Sequence, residues 1–154
     1  MITYAGTKKL LTWFVGKNSA GSTLYAGLSS TEPTIAGANV TEPSATSYAR
    51  TLVARGSGST YSAFGTASDT INGSEVVNIE QIYFPETYNT STKVVEDWGT
   101  LNYICLFDAQ TGGNLIAFQA LPTPIHPGAD GESTIPIIRI GDAKISIENT
   151  STNV

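Results

Sequence analysis

Between Trp98 and Leu121 two apolar runs, Leu101 to Phe107 and Leu115 to Leu121, flank the loop Asp108-Ala109-Gln110-Thr111-Gly112-Gly113-Asn114. Two runs of strand length around a loop rich in Asp, Thr, Gly and Asn are the signature of a β-hairpin. Neither run alternates apolar with polar residues; both are nearly continuous. Strands of that pattern expect cover on both faces, as in the middle of a sandwich.

The remaining segments are read against this hairpin. Residues 7–16 are the one helix candidate, with Thr7 as cap, Leu10, Leu11 and Phe14 at helical spacing and Gly16 as stop. Lys8 and Lys9 would then sit at the positive end of the helix dipole, which opposes this placement. Residues 23–28 read as the first strand and residues 48–54 as the second. Between them Ser29 to Ser47 is a long polar loop with two turn signals, Glu32-Pro33 and Glu42-Pro43. Long ordered loops carry contacts more often than they merely connect.

Residues 61–73 make a weak strand or loop, and Val76 to Phe84 a single strong strand ended by Pro85. Residues 86–95 form a polar excursion, and Ile135–Ile140 and Ala143–Ile147 two closing strands turned at Gly141-Asp142. About seven or eight strands, short turns and one terminal helix predict an all-β chain, an antiparallel β-sandwich of jelly-roll type. Residues 1–20 would be the helical segment, 21–148 the sandwich and 149–154 a polar tail.

Charge excludes some partners. A net charge of −5, with eight scattered Lys and Arg, lacks the basic face that nucleic acid requires. No apolar run approaches the ~20 residues of a membrane span, nor is there a signal sequence, so the reading expects a soluble protein made in a cytoplasm. Four Asn-x-Ser/Thr sequons, at Asn39, Asn72, Asn89 and Asn149, carry no weight in a chain so rich in Ser and Thr.

Chemistry is sparse. The single cysteine, Cys105, lies inside an apolar run and reads as a small buried hydrophobe. The single histidine, His126, has no second histidine to join it and reads as a turn residue. Glu96 and Asp97 are adjacent, so on a strand they would face opposite ways rather than cooperate. Asp130-Gly131-Glu132 lacks the ligand spacing of a calcium loop. Arg50 beside Tyr48 reads as structural, paired with a carboxylate and lying over an aromatic ring. Catalytic residues, cofactor and metal are therefore all expected to be none.

Taken in order, several motifs resemble a family of small bacteriophage structural proteins known as tail fibre or virion-associated proteins. They are Leu24-Tyr25-Ala26-Gly27-Leu28 with the Glu-Pro loop, Tyr48-Ala49-Arg50, Ile82-Tyr83-Phe84-Pro85 and Trp98-Gly99-Thr100. The strongest portion is Leu106 to Leu115, followed by Leu121-Pro122-Thr123-Pro124. The match runs from about Thr7 to Ile147, and Ser57 to Gly73 is its least recognisable part. The resemblance implies a β-sandwich that builds a phage particle through protein–protein contacts, often as a cyclic oligomer, with no catalytic residues. Tail fibre, baseplate and capsid decoration all fit that description.

The first reading is therefore a non-enzymatic virion component, a homo-oligomer with a trimer favoured. Its expected contact residues are Leu10, Leu11, Trp13 and Phe14 on the helix and Glu32, Pro33, Glu42 and Pro43 in the loop. The second reading is a carbohydrate-binding jelly roll for attachment to a host glycan, with Tyr61, Tyr88 and Trp13 as the available aromatics. A hydrolase would need paired acids or a nucleophile with a base, and no spacing offers either.

Overall fold

The computed structural model describes residues 1–14, 23–55, 61–70 and 73–148. It has one α-helix, α1 (Tyr4–Phe14), and then strands β1 (Leu24–Ser29), β2 (Thr51–Ala54), β3 (Ser68–Thr70) and β4 (Gly73–Val77). These are followed by β5 (Ile82–Tyr83), β6 (Tyr88–Asn89), β7 (Val94–Val95) and β8 (Leu101–Phe107). Last come β9 (Leu115–Ile125), β10 (Ile137–Ile138) and β11 (Lys144–Glu148). A four-stranded sheet runs β2-β1-β8-β9 and a three-stranded sheet β11-β4-β3, with two ribbons, β10-β5 and β6-β7. Every pairing is antiparallel.

The hairpin is β8 paired with β9, and β8 lies inside the four-stranded sheet. Its alternate residues serve two cores. Ile104 and Leu106 join Ala26, Leu28, Ala117 and Leu121 in the main core, against Ile82, Phe84 and Ile138. Cys105 and Phe107 face the other way and cluster with Leu115 and Phe118, with Val40 and Tyr103 packed alongside. That is why the run is continuous: one face meets the other strands, and the opposite face meets the 29–47 loop, which contributes Val40.

The N-terminus departs from expectation. The helix starts at Tyr4, and Thr3 rather than Thr7 caps it, its Oγ1 accepting the Gly6 N–H at 3.2 Å. Thr7 instead donates its hydroxyl back to Thr3 O at 3.1 Å. Lys8 and Lys9 thereby fall in mid-helix, clear of the positive end of the dipole. The expected stop, Gly16, and the polar tail lie outside the described residues.

The strand expected from Val76 to Phe84 is two strands. Asn78 breaks it: fully buried, it donates to Glu80 O (2.9 Å) and Arg139 O (2.8 Å) and accepts the Ala143 N–H (2.9 Å). Those bonds hold a corner that a continuous ladder would not allow. They also separate the two closing strands. Gly141 turns the chain with φ +84°, but β10 pairs with β5 and β11 with β4, so the pair is not a hairpin. The second strand begins at Thr51 rather than Tyr48, because Tyr48 and Arg50 are committed to side-chain contacts described below. The polar excursion holds the small β6-β7 hairpin, closed by Lys93 N–H to Asn89 O at 2.8 Å.

Candidate functional site

Gly27 on β1 leaves a hollow against Phe107 of β8 that a side chain would fill: an added Cβ would lie 2.8 Å from both Glu42 Oε1 and a Phe107 ring carbon. Into that hollow come Glu42 and Tyr48 from the loop and Arg50 from just before β2. Arg50 grips Glu42 with both ends of its fork, Nε to Oε1 at 2.9 Å and Nη2 to Oε2 at 2.6 Å. Its Nη1 reaches the carbonyls of Ala109 (2.9 Å) and Gly112 (2.6 Å) in the β8-β9 loop. The guanidinium lies over the Phe107 ring. One arginine thus fastens two loops to the outer face of the sheet, in the structural role read from its neighbours in sequence.

Tyr48 completes the clamp. Its hydroxyl donates to Glu42 Oε1 at 2.7 Å and accepts the Leu28 N–H at 2.9 Å, and its ring meets Trp98 edge-on. Burial, then the bond to Glu42, pushes the phenol far above its usual range. Cys105, fully buried beneath, is pushed up to about 12 by burial and then by the Glu42 charge, so it stays a thiol at neutral pH. This agrees with its reading as a packing residue.

The 29–47 loop is tied together internally. Ser29 Oγ accepts the Thr41 N–H (3.0 Å), Thr31 Oγ1 donates to Asn39 O (2.6 Å), and Asn39 Nδ2 donates to Glu32 O (2.7 Å). The tip meets the helix, where Tyr4 N–H donates to Ile35 O at 2.9 Å. A second link joins Lys9 to Asp108 at 2.9 Å. Helix, loop and hairpin turn therefore form one continuous surface.

Of the residues expected at contacts, Leu10 and Glu32 are exposed, Pro33 is buried, and Glu42 and Pro43 are half-buried. Glu42 points its carboxylate inward to Arg50. Leu11, Trp13 and Phe14 belong to the last turns of α1, and their side chains lie outside the described ones. Leu10, Ile2 and Gly6 line an apolar cleft of about 420 Å³ whose far wall includes Phe64, Ile145 and Ile147. Among the glycan-reading aromatics, Tyr61 is 41% exposed and Tyr88 half-buried.

The ionisable residues near Trp98 diverge, as their adjacency suggested. Glu96 accepts from Ser47 N–H (2.6 Å), Thr46 Oγ1 (2.8 Å) and Asn89 Nδ2 (3.1 Å), and bonds from Ser47, Asn89 and Thr46 hold it down at about 2. Asp97 turns outward, accepting the Gly99 N–H at 2.7 Å and contacting His126 Nε2 at 2.8 Å. Those partners, Gly99 first, lower its pKa. Thr100 Oγ1 lies 3.4 Å from His126 Nδ1, the long limit for such a bond, on an exposed turn. Among the described residues no three His, Cys, Asp or Glu side chains converge on a metal position. None of the described helices is long and apolar enough to cross a membrane.

Two structural residues escaped the sequence reading. In sequence Glu42 reads as part of a turn signal and as an outward contact residue, not as the partner of Arg50, which is eight residues away and beyond local pattern. Asn78 stands in an apolar run, where a lone polar residue reads as the solvent face of a strand.

No curated protein matches the sequence. A family model does, described as podophage GP4 fiber I protein gp80, and it matches residues 1–141. That span takes in α1, the Arg50 clamp, the β8-β9 hairpin and the ribbon β10-β5, nearly all of the described fold. The chain thus belongs to the podophage GP4 fiber I protein gp80 family, and its role is that of a structural tail fibre protein of a phage virion.

Proposed function

We propose that the protein acts without catalysis, as a jelly-roll-type sandwich that joins other virion proteins and copies of itself through side-chain and backbone contacts. The observation that carries this reading is where the reactive groups go. Arg50, Glu42 and Tyr48 bind one another, Cys105 is sealed beneath them, and Glu96 is spent on loop bonds. The charged residues that remain outside, such as Glu32, Lys93 and Lys144, are scattered among exposed apolar and neutral polar side chains, a surface that can dock proteins.

The contact surface in this reading is the continuous helix-and-loop face. The proposed patch comprises Leu10, Leu11, Trp13 and Phe14 on the helix and Glu32 and Pro43 in the loop, with buried Pro33 and inward-turned Glu42 holding the loop in place from within. A cyclic homo-oligomer uses such a patch identically in every copy, and threefold symmetry suits a fibre. Mass spectrometry of purified particles, followed by electron microscopy, tests the role. Absence of the chain from particles overturns it, and density at the capsid exterior would move it from fibre to decoration. The exposure of Tyr61 favours glycan binding as a second activity of the same fold, and a glycan array tests it.

A further inference from the structure

We draw no further inference here: the strongest candidate, the apolar cleft bounded by α1, β4 and β11 and lined by Leu10, Phe64, Val76, Ile145 and Ile147, carries none, because nothing among the described residues shows what covers it.

Discussion

The guanidinium carbon of Arg50 lies 3.3 Å from the centroid of the Phe107 ring, which makes a cation the lid of the outer apolar core. The Arg50 side chain is 9% exposed and that of Glu42 24%, so the ion pair is largely withdrawn from water. A pair in that position is costly to break from one side, because the remaining charge is left without a partner.

Arg50→Ala should therefore cost about 2–4 kcal/mol in urea melts. Arg50→Lys keeps the charge but loses the fork, and should recover less than about half of that. Phe107→Ala, which empties the same site from below, should cost about 3–5 kcal/mol. If Arg50→Ala melts within about 0.5 kcal/mol of the parent, the clamp contributes nothing to folding.

Gly27→Ala tests the hollow itself. The new methyl would meet Glu42 Oε1 and the Phe107 ring at 2.8 Å and Tyr48 Oη at 3.0 Å. It should cost about 1–3 kcal/mol as overpacking, although alanine is otherwise no worse than glycine in a strand. A neutral or stabilised variant would mean that the loop shifts freely, contrary to the clamp.

How much of this was legible depends on the range of each interaction. Apolar continuity at Leu101 to Phe107 announced a strand covered twice, because burial pattern is a local property of sequence. Arg50 announced its aromatic and carboxylate partners by type, though not that Glu42 was one of them. Asn78 was hidden, since its three bonds go to Glu80, Arg139 and Ala143, and two of those are over sixty residues away. For the same reason the turn at Gly141-Asp142 was visible while the separation of β10 from β11 was not. The helix start was missed by one turn because Thr3 and Thr7 are equally good caps in sequence. Only the contact with β9 distinguishes them.

Asn78→Ala removes the side-chain partner of the Glu80 carbonyl and the Ala143 amide, and one of the two donors to the Arg139 carbonyl, which keeps the Asp142 N–H at 3.1 Å. A loss of about 2–4 kcal/mol is expected, with faster hydrogen exchange at the Ala143 amide. Asn78→Asp should do no better, since a carboxylate cannot donate to the carbonyls of Glu80 and Arg139. Normal exchange at Ala143 in the alanine variant would show that the corner is held by something else.

Acid should loosen the loops first. Glu96 is held at about 2 against an ordinary 4.5. Partial burial raises Asp108, but Asn114 and Lys9 outweigh it and hold it at about 2 against 3.8. Both folded values lie below the unfolded ones, so the stabilisation is complete above about pH 4.5 and is lost as pH falls through about 2. Urea midpoints measured from pH 7 to pH 2 should stay level and then drop, and Glu96→Gln should flatten the drop. An equal drop in that variant would remove Glu96 from the account.

The last prediction concerns the first three residues, which belong to the sheet although they precede the helix. Ile2 bridges Ala117, Thr3 N–H donates to Ile116 O at 2.9 Å, and Phe118 N–H donates to Met1 O at 2.9 Å. Thr3, 1% exposed, caps α1 while its hydroxyl sits against the carbonyls of Leu115 and Ile116, 3.0 Å from the latter. Gly6 is just as confined, since an added Cβ would come 2.3 Å from Ile116 O. Thr3→Val keeps the shape and removes the cap and the donor, so it should cost about 1–2 kcal/mol. Deleting residues 1–3 should go further and expose the edge of β9, seen as fast exchange at the Phe118 amide with the β1-β8 amides still protected. If that deletion leaves Phe118 protected and the melt unchanged, the edge of β9 is covered by α1 alone. The helix would then dock without its leading strand.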